Sequence, residues 1–308
     1  MSSFTTHQIP SSESRGDPLQ AEALAGRLSA RRVAVLGAGS CVGRRVVTSL
    51  REFGASVIAI RRPGSAPIPD SDMLWLDVRD ANAHSVLGEC GASIIISVAP
   101  LFAVAKTLAR VSSPSATRVV ACSSMSAEAK RASPSKTDRH IAEILQAAEA
   151  SVLGGQVPAV VVRPTMIYGH PQTANVAALQ RFARKRGWLA VPSGAFGLRQ
   201  PIHVNDLVDV LLAASVRGAV GKTYDVGGGE RVSCIEMAKR VAESESARLF
   251  RIPCRQLPWI GRAMCSLGLD RAGGITLRTT LDQCADNQSV TRELGVHPRI
   301  FSPCRSEA

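Results

Sequence analysis

The chain has 308 residues, enough for one large domain with a lobe or for two modest domains sharing an interface. Hydrophobic residues make up 45% of it and charged residues 20%, which excludes general disorder and a fibrous repeat. The formal charge of +12 suits an anionic ligand, but the basic residues form no long run and only two Tyr and three Trp are present to stack on bases, so nucleic acid is not an expected partner.

Residues 1–30 open on Ser, Thr and Pro and hold one short helical stretch, Leu19 to Leu28. This composition buries little apolar surface, so a flexible arm dispensable for folding is expected there. No secretory apolar segment opens the chain and no run approaches the length of a membrane span, so a cytoplasmic protein without a membrane partner is expected. The eight cysteines include no C-x-x-C pair; they read as reduced thiols, and no metal site is expected.

From Arg31 the texture changes. The apolar runs "RVAVLG", "SVIAI", "MLWLDV", "SIIISVA", "RVVACSS" and "PAVVVRP" alternate with helix-length segments. Short β-branched runs without polar alternation predict strands buried on both faces, and helical crossovers between them predict a parallel sheet. The expected fold is α/β, a doubly wound parallel sheet of the Rossmann kind with a smaller C-terminal substrate lobe. A dinucleotide-binding domain is placed at 31–164 and the lobe mainly at 165–308, with 200–228 returning to the first domain. In the second half, "NVAALQRFARKRG" predicts a helix with a basic outer face, and "VNDLVDVLLAASV" a helix capped by Asn205. "KTYDVGG" predicts a strand entering a glycine turn, "CIEMAKRVAE" a helix, and the chain beyond Arg251 short helices and loops.

The first strand ends in Gly37-Ala-Gly39-Ser40-Cys-Val-Gly43, followed by a helical period. Glycines at 37 and 39 let a backbone turn approach a pyrophosphate, and Gly43 lets helix and strand pack closely; Ser40 stands at the remaining position of the turn. The helix N-terminus offers free N–H donors to phosphates. This strand, turn and helix therefore predict a nicotinamide dinucleotide site. The second strand ends in Arg61 and Arg62, where an acidic residue would accept ribose hydroxyls and an arginine instead favours a 2′-phosphate, so NADP(H) is expected over NAD(H).

Together "LGAGSCVGRRVV", "LDVRD", "ACSSMSAEAK", "VVVRPTMIYG" and "LRQPIHVNDLVDVLLAA" resemble, in order and spacing, the extended short-chain dehydrogenase/reductases of the NAD-dependent epimerase/dehydratase family. The resemblance implies Asp77 and Val78 against the adenine, Ala99 and Pro100 at the diphosphate–nicotinamide side, and Pro164 and Thr165 near the nicotinamide. It also implies Arg199 on a substrate diphosphate and Asn175 beside that substrate. Residue chemistry alone leaves Arg199 open as a surface ion-pair residue and Asn175 as a helix cap, and reads His203 and Asp206 as a strand–helix junction.

One part of the family pattern is missing. Its members carry a Tyr-x-x-x-Lys pair that moves a proton as hydride moves. Counting back from "RPTMIYG" through Glu149 puts Ile141 and Leu145 at those positions, and Tyr168 and Tyr224 lie in other motifs. Ser124, Ser126 and Lys130, just past the fifth strand, are the candidate catalytic residues that remain. The expected function is an NAD(P)-dependent oxidoreductase or epimerase/dehydratase on a small anionic, carbonyl or sugar-nucleotide-like substrate, with a non-standard proton donor. The alternative is a catalytically degenerate NAD(P)-binding sensor or assembly subunit. A small molecule is the expected partner, and a homodimer stays open.

Overall fold

The computed structural model describes residues 18–65, 68, 72–113, 115–173 and 175–305. The first half runs α1 (Pro18–Leu28), β1 (Arg32–Leu36), α2 (Cys41–Glu52), β2 (Ser56–Arg61), β3 (Asp72–Trp75), α3 (Ala83–Glu89), β4 (Ile94–Ser97), α4 (Leu101–Arg110), β5 (Arg118–Cys122), α5 (Ser126–Ala129), α6 (Lys136–Leu153) and β6 (Ala159–Pro164). The second runs β7 (Ile167–Tyr168), α7 (Val176–Arg186), β8 (Trp188–Pro192), β9 (Leu198–Arg199), β10 (Ile202–His203), α8 (Val204–Arg217), β11 (Thr223–Val226), β12 (Val232–Ser233), α9 (Cys234–Ser244), β13 (Arg248–Ile252), α10 (Leu257–Ser266) and α11 (Asp270–Arg278).

Seven strands form one parallel sheet in the order β11-β6-β5-β4-β1-β2-β3. The order reverses between β1 and β4, where a doubly wound sheet opens a crevice at its carboxyl edge. Side chains alternate across each strand, so every apolar run feeds two cores. Val33 and Val35 of β1 pack with Val46 and Leu50 of α2 and with Leu207 and Leu211 of α8. Ala34 and Leu36 pack on the opposite side with Leu101, Val104 and Leu108 of α4 and Val152 of α6.

The arm expected over 1–30 is corrected at its end. α1 lies on α2 and α8, and Leu24 and Leu28 are buried in the same core as Val46 and Leu50. Two leucines four residues apart share one face of the helix, and that face is enough to hold it against the sheet layer. Residues 1–17 of that expectation lie outside the described residues.

The second half supplies both the sheet and the lobe. β11 closes the sheet on β6, and Val290 and Leu294 of a short helical turn join the core beside α8. The lobe holds α7, α9 and the parallel pair β8–β13, and α10 and α11 pack on each other. Asp270 fixes this hairpin to α6, accepting from Lys136 N at 2.9 Å and Thr137 N at 2.8 Å, while Arg278 pairs with Asp138 at 2.5 Å. The cap expected at Asn205 is made two residues earlier: His203 precedes α8, and its ring nitrogen accepts from Asn205 N at 3.2 Å.

Leu28 has no solvent exposure, so Leu28→Ala should lower unfolding free energy by about 2–5 kcal/mol. Urea unfolding should show a lower midpoint at unchanged slope. A variant as stable as the parent would show that α1 contributes nothing to the core.

Candidate functional site

The turn from β1 to α2 is built by close backbone approach. Gly37 has φ of +78°, and a Cβ there would lie 2.8 Å from Ala99 N at the end of β4. A Cβ on Gly43 would lie 2.2 Å from the carbonyl oxygen of Gly37, so only glycine lets the first turn of α2 sit on the strand end. Ser40 caps α2, its hydroxyl accepting from Gly43 N at 3.0 Å. No acidic side chain occupies that first turn, which leaves the positive end of the helix dipole uncompensated by the chain itself.

A cavity of about 530 Å³ opens above this turn. It gathers Gly37, Gly39 and Ser40 from the turn, Arg61 and Arg62 from the end of β2, Asp77 and Val78 after β3, and Ala99 and Pro100 after β4. The Arg61 guanidinium lies over Gly39, where an added Cβ would meet it at 2.7 Å. Asp77 is gripped by Arg79, which donates from Nε at 2.9 Å, from Nη2 at 2.5 Å and from its backbone N at 3.0 Å. That grip holds the Asp77 carboxyl well below the usual carboxylate range. Arg79, also lining the cavity, lies within "LDVRD", where the sequence points to Asp77 and Val78 and gives Arg79 no role.

A second cavity, of about 290 Å³, lies on the other side of the same turn, at the ends of β5 and β6. Ser40 lines the first cavity and Cys41 the second, so the start of α2 is their common wall. Ser124, Ser126, Pro164, Thr165, Asn175 and Arg199 all line the second cavity. The loop after β5 is held by backbone bonds to β6, Ser123 N to Val162 O at 2.7 Å and Met125 N to Pro164 O at 3.0 Å. Ser124 Oγ accepts from Ser126 N at 3.1 Å, while Thr165 donates its hydroxyl to Gln200 O.

Arg199 is 4% exposed and is not a surface ion-pair residue. Its guanidinium donates to Leu198 O at 2.7 Å, Leu281 O at 2.8 Å and Arg278 O. Carbonyls orient the cation without neutralising it, and burial pulls its pKa down. Asn175 precedes α7 with φ of +56° and makes no side-chain cap bond. Thr173, Gln283 and Cys41 complete the wall; Gln283 arrives through its backbone bond to Leu198 O at 2.9 Å, a long-range pairing without a local signal.

The register of α6 is set by a buried ion pair. Glu149 accepts from Ser123 Oγ and binds Arg163 of β6 at 2.9, 3.1 and 2.5 Å, and Arg163 also lies 3.6 Å from Asp225 of β11. With Glu149 so placed, Ile141 and Leu145 are half-buried on α6 and line neither cavity. Lys130, expected beside the cavity, instead turns to α6 and pairs with Asp138 at 3.3 Å. Tyr168 donates to Ile300 O at 3.2 Å and Tyr224 to Glu293 at 2.7 Å, both within packed structure. Burial lowers the His203 pKa to about 3, and Asp206 binds Arg299, so these two residues form a structural junction. Among the described residues, the second cavity is lined by no Asp, Glu, His, Lys or Tyr. Its polar groups are hydroxyls, amides, the Cys41 thiol, which burial pushes up, and Arg199.

No protein-family model matches the chain, and no curated protein matches it in sequence. Solved structures do. An epimerase from Methanothermobacter thermautotrophicus superposes with a TM-score of 0.69 at 16% identity, covering 92% of this chain and 93% of its own. UDP-glucose 4-epimerase from Thermotoga maritima, solved with UDP-glucose, gives 0.65 at 14% identity over 88% and 94% of the two chains. The Bordetella bronchiseptica enzyme WbmF, solved with NAD+, gives 0.65 at 17% over 89% and 90%. The chain shares the Rossmann-type α/β fold of these three structures.

The glycines of the turn should differ sharply in tolerance. Gly43→Ala drives a methyl into the Gly37 carbonyl and should cost about 1–3 kcal/mol. Gly39→Ala meets only the far end of the Arg61 side chain and should stay within about 0.5 kcal/mol of the parent. Equal chemical denaturation midpoints for the two variants would contradict the close approach at Gly43.

Proposed function

We propose that the chain binds NADP(H) along the carboxyl edge of its sheet and acts as an oxidoreductase or epimerase/dehydratase on a small anionic, carbonyl or sugar-nucleotide-like substrate. The observation that carries the proposal is the pair of cavities meeting at the β1–α2 turn, one holding Arg61 and Arg62, the other the buried Arg199. The first cavity fits a dinucleotide by its chemistry. The glycine backbone and the uncompensated N-terminus of α2 suit a diphosphate, and Ala99 and Pro100 cover its far side. Asp77 and Val78 stand where the adenine would lie, and Arg61 and Arg62 suit a ribose 2′-phosphate. Pro164 and Thr165 reach toward the nicotinamide end from the second cavity. The ligands named for two structural relatives, NAD+ and UDP-glucose, are the first compounds to try.

The nicotinamide supplies hydride transfer when bound; the remaining work falls to this chain's residues. Arg199, fixed by carbonyls, presents positive charge to an anionic group of the substrate, and Asn175 offers an amide beside it. Met125, Met166 and Ile167 in the same wall exclude water and strengthen those contacts. A carbonyl oxygen that gains charge during reduction needs a proton, and Ser124 and Ser126 are the hydroxyls that flank the site after β5. The absence of Asp, Glu, His, Lys and Tyr among the described lining residues favours a second reading, a cofactor-binding sensor or assembly subunit without turnover.

NADPH should bind about ten- to a hundredfold more tightly than NADH, and Arg61→Asp should reverse the order. Equal affinities in the parent, measured by fluorescence titration, would overturn the assignment of Arg61. Ser124→Ala or Ser126→Ala should reduce turnover of a carbonyl or sugar-nucleotide substrate about a hundred- to ten-thousandfold at unchanged NADPH affinity. Lys130→Met should keep turnover, since its ammonium is held by Asp138. Full turnover in both serine variants would place the donor elsewhere, and tight NADPH binding without turnover of any candidate would establish the second reading.

A further inference from the structure

The parallel pair β8–β13 turns one face to the core and the other to solvent. Leu189, Val191 and Leu249 pack inward, and by strand alternation Trp188, Phe250 and Ile252 face outward. These three are 39%, 51% and 50% exposed. α7 adds Phe182, 41% exposed, whose ring centroid lies 5.3 Å from that of Trp188; Trp188 in turn lies 6.2 Å from Phe250. The three rings meet edge to face in one contiguous solvent-facing cluster, the kind of apolar patch that marks an interaction surface.

The segments that carry the cluster bring charge of one sign. The chain carries no Asp or Glu between Glu149 and Asp206, nor between Glu245 and Asp270, the two stretches that build this face. Lys185 and Arg186 follow Phe182 by three and four residues and so share its side of α7. Arg248 stands opposite Trp188 in the strand register. All three cations are exposed, and none makes an ion pair among the described residues, whereas the neighbouring Arg184 is paired with Glu245 at 3.0 Å.

We propose that this face docks on an anionic lipid bilayer. Trp and Phe rings with a β-branched neighbour suit the boundary between headgroups and acyl chains, and flanking Lys and Arg suit lipid phosphates. A second copy related by a twofold axis would set this basic patch against an identical basic patch. A nucleic acid would use the cations but leave Ile252 without a partner, and the rings, packed edge to face on one another, offer bases no open stacking platform. No described helix is long and apolar enough to cross a membrane, so the contact is peripheral. The sequence signals no membrane partner because no apolar run approaches the length of a span; the fold gathers separate apolar and basic residues from α7, β8 and β13 onto one surface.

The test is co-sedimentation of the full chain with phosphatidylcholine vesicles, with and without phosphatidylglycerol. Binding should require phosphatidylglycerol and weaken with salt. Each basic residue near an anionic surface contributes about fivefold, so Lys185→Glu with Arg186→Glu should lower binding at least about twentyfold. Trp188→Ala with Phe250→Ala should lower it about tenfold or more. Circular dichroism melts identical to the parent would show both variants folded, and if either melts early, Lys185→Gln with Arg186→Gln replaces it. No parental binding to either vesicle would overturn the proposal, as would undiminished binding by the variants. So would a dimer lost in the Trp188→Ala variant, or oligonucleotide binding without vesicle binding.

Discussion

The site depends on one contact, the first turn of α2 seated on the carbonyl of Gly37. No side chain fits between Gly43 and that oxygen, and none fits between Gly37 and Ala99. The helix N-terminus is thereby pressed against the ends of β1 and β4, at the reversal of strand order. Everything on the carboxyl edge is arranged from there. The arginines after β2 overhang the turn on one side, and the serines after β5 and the ends of β6 and β9 face it on the other.

Two cations, Arg163 half-buried and Arg199 buried, hold the second side in different ways. Arg163 is neutralised by Glu149 and Asp225 and ties α6, β6 and β11 together, so its charge is spent within the protein. Arg199 is surrounded by carbonyls, which satisfy its N–H groups but leave a net positive charge facing the cavity. An anionic ligand would complete Arg199; nothing of the kind is needed at Arg163. The contrast separates an arginine that lines the second cavity from one satisfied within the scaffold.

Strands buried on both faces were legible because burial on both faces leaves an unbroken apolar run, as in Val33–Leu36 and Ile94–Ser97. The glycine turn was legible because sterics restrict its residues. Pairings between distant charges leave no such trace: Lys130 is adjacent in sequence to the serine loop, yet Asp138 captures it. The cap at His203 was missed because histidine is an uncommon cap and Asn205, a common one, lies two residues on. The helix of α1 was legible but its burial was not, because the Ser and Pro before it lower the averaged hydropathy and only the fold sets Leu24 and Leu28 against α2 and α8. The outward face of β8 and β13 was hidden by alternation, since "WLAVP" and "RLFRI" look like ordinary half-buried strands until they pair.

The sheet's last strand has a consequence for how the protein is made. β11 and the turn at Val290–Leu294 belong to the same core as β1, so segments far apart in sequence close one hydrophobic layer. During synthesis the nascent Rossmann half leaves the ribosome with β6 as an open edge and with α8 absent from one face. Exposed strand edges invite pairing with other chains. Vectorial folding of the first half as a finished unit is therefore closed to this topology, and the growing chain must keep an apolar face and a bare strand waiting until α8 and β11 have emerged.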